Sequence, residues 1–244
     1  MDARQKRDRI FEQTSGGEPF SFDEHVADVF PDMLNRSIPG FGTILHNIGV
    51  FTADYTQPDT RCYDLGCSVG LSTLAIRHAI QSERCSIVAV DNSEAMVKRC
   101  RSRIKRDNSR IPVEVKREDI LETAISSASV VVLNFTLQFI EPEKRLALIK
   151  KIHNGMSERG VLLLSEKVRY DDDASESFYV EHYHNMKRYN GYSDLEISRK
   201  RNALENVLIR DTIEQHHQRL KTAGFSSSRI WFQCYNFVSF AAFT

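Results

Sequence analysis

The run Arg61-Cys-Tyr-Asp-Leu-Gly-Cys-Ser-Val-Gly70, followed by Ser86-Ile-Val-Ala-Val-Asp91-Asn92, constrains the fold more than any other part of the chain. Each half is a short apolar run that ends in an acidic or small residue and gives way to a helical pattern. That is the signature of a βαβ unit, in which parallel strands need a crossover helix. Gly66 and Gly70 carry no Cβ, so the backbone between them can turn tightly and let a ligand approach closely. Cys67 and Ser68 are small enough to leave that approach clear. A helix starting near Leu71 aims its first amides at the same space, and Asp91 ends the second strand where it can meet ribose hydroxyls.

The loop differs from the dinucleotide fingerprint, because Gly66-Cys-Ser-Val-Gly70 is G-x-x-x-G and lacks the third glycine of a pyrophosphate-binding turn. Asp64, read as lying in the loop mouth, would repel a diphosphate and suit a cationic ligand. The balance favours an adenosine ligand with an amino-acid tail, S-adenosylmethionine (SAM), over NAD.

With 244 residues the chain can build one large α/β domain around a sizeable core. Its 33 basic and 33 acidic side chains cancel. Proteins that hold nucleic acid by charge carry a basic excess, so direct RNA or DNA binding is not expected. The five cysteines form no C-x-x-C pair and read as reduced, small apolar residues. The polar start of the chain has no apolar targeting run, and no stretch approaches a membrane span, so a cytoplasmic protein is expected.

Residues 1–20 read as a flexible arm, and 21–244 as a single SAM-binding domain. Two helical patterns, from Phe22 to Leu34 and from Ile44 to Phe51, precede the sheet. Strands are expected at 61–65, 86–91, 112–117, 129–134 and 160–166, with helices at 71–82, 93–106 and 142–154. A helical insertion over about 172–208 and a helix at 211–223, ending at Gly224, lead to strands at 229–234 and 237–243. These last two are too close for a crossover and must pair antiparallel. The result is a Rossmann-like, seven-stranded, mostly parallel sheet with one antiparallel edge strand.

Glu118-Asp119-Ile120 follows the third strand, at the edge where open α/β sheets bind ligands. Asp119 can accept from an adenine amine and Ile120 can pack on the ring, whereas a helix N-cap is the plainer reading of Asp119. Asn134 ends the fourth strand, without the prolines that accompany exocyclic amine methylation, and reads as lining the pocket. No general base stands out, and the catalytic residues stay unassigned. His182 and His184 lie two apart on a helix and do not share a face, so no metal is expected. The basic run Lys98 to Arg106 reads as a solvated helix face, and Arg199-Lys200-Arg201 lies in a lid where an arginine could clamp a carboxylate.

Phe22 to Met33, Ser37 to Phe41, Tyr63 to Ser68, Val132 to Phe139, Leu164 to Lys167 and Trp231 to Phe237 together resemble the carboxy-S-adenosyl-L-methionine synthases, from about Phe20 onward. The resemblance implies a homodimeric transferase that combines SAM with prephenate, releasing phenylpyruvate and carboxy-SAM. A tRNA carboxymethyltransferase would then use carboxy-SAM on a wobble uridine. It also implies ligand contacts at Phe41, Gly66, Cys67, Ser68, Asp91, Asn92, Asp119, Ile120 and Asn134. Arg201 would meet the transferred carboxylate from its own or the neighbouring subunit. Relatives often carry tyrosine where this chain has Phe41, so packing is kept there and a hydroxyl is lost. Two other readings compete: an ordinary small-molecule methyltransferase, and a non-catalytic SAM-binding partner.

Overall fold

Apolar runs with flanking turn residues become seven strands of one sheet in a computed structural model that describes residues 7–13, 20–82, 84–204 and 207–244. They are β1 (Arg61–Leu65), β2 (Ser86–Asp91), β3 (Val113–Arg117), β4 (Ala128–Asn134), β5 (Met156–Lys167), β6 (Ser227–Cys234) and β7 (Phe237–Phe243), in the order β3-β2-β1-β4-β5-β7-β6. The first five run parallel. Ala128 to Leu133 of β4 are all buried, as expected of a central strand covered on both faces. Apolar clusters fill the two faces, one around Leu133, Leu148 and Phe240 and the other around Ile44, Ile76 and Leu163.

The reversed strand does not form the edge. β7 pairs antiparallel with both β5 and β6, which leaves β6 outermost. The hydrophobic pattern explains the exchange. Phe237 to Ala242 of β7 are all buried, whereas β6 exposes Arg229 and Ile230 and tolerates a solvent edge. β5 also starts earlier than expected, because Met156 pairs with Ala128 before a register shift around Arg159, whose φ is 62°.

Helices α4 (Leu71–Ala79), α5 (Glu94–Arg106) and α6 (Pro142–Gly155) supply the crossovers. Before the sheet come α2 (Glu24–Ser37), capped by the Asp23 carboxylate accepting from the Val26 N–H, and α3 (Phe41–Tyr55). The insertion is two helices, α7 (Asp173–Tyr189) and α8 (Asp194–Leu204), separated at Gly191 with φ 84°. α9 (Ile213–Ala223) opens on a Thr212–Gln215 capping box and ends at a left-handed Gly224. No helix among the described residues is long and apolar enough to cross a membrane.

Of the arm expected over 1–20, residues 1–6 and 14–19 lie outside the described residues. Residues 7–13, which include the short helix α1 (Ile10–Gln13), are packed instead of free. Phe11 is buried, the Asp8 N–H donates to Asp32 Oδ2 (2.8 Å), and Tyr192 Oη donates to Asp8 Oδ2 (2.7 Å). Arg199 of α8 donates to the Phe11 carbonyl (2.9 Å). A polar composition hid these anchors, which are single side chains and not a periodic pattern.

Arg145, 1% exposed, donates to Asp211 Oδ2 (2.6 Å) and to the carbonyls of Ile140 (2.8 Å) and Ile209 (2.9 Å), while Arg219 also reaches Asp211 (2.7 Å). Removing one partner strands buried charge and carbonyls. Arg145→Ala is expected to cost about 3–5 kcal/mol of stability, read from the urea midpoint.

Candidate active site at the carboxyl edge of the sheet

Because β1 to β5 run parallel, their carboxyl ends meet along one edge, over which lies a cavity of ≈ 360 Å³. Its floor begins with the loop after β1. The Gly66 and Cys67 N–H groups both donate to the Val90 carbonyl (2.8 and 2.9 Å), and the Gly70 N–H donates to the Cys67 carbonyl (2.8 Å). Gly66 has φ 83°, and a Cβ there would stand 2.3 Å from Thr136 Oγ1, so only glycine fits. Asp91 locks the loop to the next element. Its Oδ2 accepts from the Ser68 N–H and its Oδ1 from the Ser93 N–H, each at 2.9 Å.

Asp64 departs from the sequence reading. It is 1% exposed, accepts from Thr73 Oγ1 (2.5 Å) and is absent from the cavity lining, so it lies beneath the loop and not in its mouth. Burial pushes its carboxyl up to about 7.

Phe41, Gly66, Cys67, Ser68, Asp91, Asn92, Asp119, Ile120 and Asn134 all line the cavity. Asn92 and Asp119 are exposed and Ile120 is buried. Asp119 Oδ1 accepts from the Leu121 N–H (2.8 Å), and no helix follows it, so in place of the expected helix N-cap it closes an Asx turn. Asn134 Nδ2 donates to Ser72 Oγ (3.0 Å), which leaves Asn134 Oδ1 buried with no partner among the described residues. Such an acceptor is costly unless a ligand satisfies it.

Arg201 is not brought to this set. It is exposed on α8 and does not line the cavity, whereas Lys200, one position earlier, is 7% exposed and does. Successive helical residues point in different directions, and Arg199 is spent on the Phe11 and Glu12 carbonyls. The basic face of α5 is largely engaged within the chain: Lys98 pairs with Glu24 (2.9 Å), Arg99 pairs with Asp28, and Arg101 donates to the Val115 carbonyl (2.8 Å).

Two groups of lining residues were not foreseen. One is an aromatic wall. Phe22 packs edge-on to Phe139 (5.4 Å between centroids), Phe30 (5.9 Å) and Phe20 (5.0 Å), so the segment before α2 closes the cavity above β4. The other is Lys167, which ends β5, together with Tyr183 of α7 and Phe237 of β7. The Lys167 ammonium sits 4.4 Å from the Tyr183 ring centre, and Lys187 sits 5.4 Å from the same ring. Burial, reinforced by Arg210, lowers Lys167 to about 7. Burial together with Lys200 and Lys167 lowers Lys187 to about 6, and burial, opposed by Asp8, lowers Lys200 to about 8. The edge rule that picked out Asp91, Asp119 and Asn134 applies equally to Lys167 and would have found it.

Residues 63–160 match the family model described as a methyltransferase domain. A carboxy-S-adenosyl-L-methionine synthase of Geobacter sp. strain M21 is 56% identical over 92% of this chain and 92% of its own. One from Marinobacter nauticus is 52% identical over 98% of this chain and 95% of its own. The chain belongs to the carboxy-S-adenosyl-L-methionine synthase family. Among solved structures, the fold of this synthase family member resembles that of human N-acetylserotonin methyltransferase (TM-score 0.60, 13% identity, covering 91% of this chain and 55% of that one). It also resembles magnesium protoporphyrin IX methyltransferase from Synechocystis (TM-score 0.56, 14% identity, covering 93% and 86%).

The lysines make stability depend on pH. The folded state holds Lys187 neutral down to about pH 6, whereas the unfolded chain binds that proton up to its ordinary value near 10.5. The unfolded state therefore carries more protons across that window, and Lys187 makes stability rise with pH within it. Lys187→Met is expected to stabilise the fold by about 1–3 kcal/mol at pH 7. The gain should shrink toward pH 10, as urea unfolding at several pH values would show.

Proposed function

We propose that this protein converts SAM and prephenate to carboxy-SAM and phenylpyruvate. The observation that carries the reading is how the loop spends its amides. Gly66, Cys67, Ser68 and Gly70 donate to Val90, Asp91 and Cys67 within the protein, so they offer no cradle to a pyrophosphate. The end of the cavity over β1 to β4 presents acceptors instead: the Asp91 and Asp119 carboxylates and Asn134 Oδ1, which has no partner among the described residues. That donor-poor set suits a nucleoside whose tail carries an ammonium and a sulfonium. Asp91 with Asn92 meets the ribose, Asp119 and Ile120 the adenine, and Asn134 the tail ammonium.

Atoms and electrons balance without a protein base. Prephenate loses its ring carboxyl as carbon dioxide, the bonding pair aromatises the ring, and the ring hydroxyl departs as hydroxide. Hydroxide takes a proton from the sulfonium methyl group, the resulting ylide carbon attacks carbon dioxide, and water is the remaining product. Among the described residues no histidine lines the cavity, in keeping with this scheme. The aromatic wall around Phe22 and Phe139 limits water and retains the gas. In this reading the protein acts in the cytoplasm as a homodimer. Exposed Arg201 reaches the transferred carboxylate from the neighbouring subunit, and the product passes to a tRNA carboxymethyltransferase.

Mass spectrometry of small molecules after incubation with SAM, with and without prephenate, tests the reaction. A species heavier than SAM by one carbon dioxide, appearing with phenylpyruvate only when prephenate is present, is expected. S-adenosylhomocysteine formed with a methyl acceptor would point to an ordinary methyltransferase. Asp91→Ala should weaken S-adenosylhomocysteine and carboxy-SAM together. Arg201→Ala should cost carboxy-SAM about 1.5–3 kcal/mol and spare S-adenosylhomocysteine, as titration calorimetry with each ligand would show.

A further inference from the structure

Three lysine ammonium groups stand at the β5 end of the cavity around two tyrosine rings. Tyr183 lies between Lys167 (4.4 Å) and Lys187 (5.4 Å), and Tyr192 between Lys187 (5.4 Å) and Lys200 (5.6 Å). Lys187 and Lys200 are 3% and 7% exposed. Among the described residues none of the three forms an ion pair within 4.0 Å, although buried cations are ordinarily paired. The neighbouring cations have partners, although Arg36 also lies over the Tyr192 ring (3.9 Å). Arg36 donates to the carbonyls of Asp8, Asn190 and Gly191, and Arg210 pairs with Glu176.

Lys200 is held but not neutralised. Its ammonium donates to Ser37 Oγ (2.9 Å), Ser37 Oγ donates to Tyr192 Oη (3.3 Å), and Tyr192 Oη donates to Asp8 Oδ2 (2.7 Å). The relay uses one of the three N–H donors of Lys200 and aims the side chain at the cavity it lines. Lys167 makes no side-chain hydrogen bond among the described residues and lines the same cavity beside Phe237.

Position separates this end from the nucleoside. With strands about 4.8 Å apart, the end of β5 lies roughly 19 Å from the end of β3 and one strand beyond Asn134. A nucleoside spread over the ends of β3, β2 and β1, with its tail at Asn134, stops short of Lys167. What remains is a basic recess walled by the Tyr183, Phe135 and Phe237 rings. That shape and charge fit a six-membered ring bearing two carboxylates.

We infer that Lys167 and Lys200 bind the two carboxylates of the carboxyl-donating substrate, with Lys187 supplying positive potential from behind. This rests on the reading of that donor as prephenate. The recess holds its lysines partly neutral while it is empty, and the dianion restores their charge as it enters, so the recess favours a doubly charged acid over a neutral ring. A cyclic donor held this way presents its scissile carboxyl beside the tail of the nucleoside, within reach of the sulfonium methyl group.

Titration calorimetry of prephenate into protein saturated with S-adenosylhomocysteine tests the site without turnover. Wild type binds; Lys167→Met and Lys200→Met each lose about 10- to 100-fold in prephenate affinity. Both keep S-adenosylhomocysteine affinity within about threefold, and Lys167→Arg regains most of the loss. Unchanged prephenate affinity in both methionine variants, an equal loss for S-adenosylhomocysteine, or no prephenate binding by wild type overturns the assignment. Turnover separates it from the parent reading. Lysine-dependent prephenate binding without carboxy-SAM formation keeps the site and removes the reaction. Carboxy-SAM formation undiminished in the methionine variants keeps the reaction and removes the site.

Discussion

Parallel pairing of β1 with β2 and β4, through Tyr63↔Val88 and Tyr63↔Val131, brings the ends of five strands to one edge, and the polar groups of the cavity inherit their order from it. Asp119 follows β3, Asp91 ends β2, the glycine loop follows β1, Asn134 ends β4 and Lys167 ends β5. The sign of charge therefore changes along a single line, from carboxylates through an amide to ammonium groups. A sheet with β4 reversed would place Asn134 at the opposite edge and break the series. Asp91 adds the finer constraint. By accepting from Ser68 and Ser93 at once, it fixes the loop and the start of α5 in one position.

Burial of charge around this edge is extensive and unevenly compensated. Glu166, 1% exposed, accepts from the N–H groups of Leu137 (2.9 Å) and Gln138 (2.8 Å), yet burial still pushes it up to about 8. Asp211 sits between Arg145 and Arg219 and is held below its usual range because these cations outweigh its burial. In the lysine recess Glu176, Asp8 and Glu196 oppose the effect of burial on the lysines but do not outweigh it. Regions that give up stability in this way are commonly the ones that meet ligands, since the missing partner arrives with the substrate.

Much of the fold was legible because its signals are local. Strand, loop, helix and strand succeed one another from Arg61 to Asp91 with glycines where the chain must bend, and the crossover helices follow the same rhythm. The reversed strand was foreseen but not its place, because the rank of strands in a sheet depends on relative burial across the hairpin and not on chain order. At the site, residues next to the loop and strand ends were readable. The aromatic wall was not, since Phe22 and Phe139 meet only after folding. Lys200 and Arg201 differ by one position in helical phase, which a basic triplet does not disclose. Lys167 ends β5 as Asn134 ends β4, so the strand-end pattern discloses it as well.

The roof of the cavity joins distant parts of the chain. Asp8 meets Tyr192 across 184 positions, Arg199 holds the Phe11 carbonyl, and the Phe20 N–H donates to the Ala203 carbonyl (3.2 Å). During synthesis, the segment that includes Asp8 and Phe11 leaves the ribosome long before the helices that will hold it, whereas the βαβ core can pair as it emerges. The floor of the cavity is thus assembled early, and the roof over it waits for most of the polypeptide to be made.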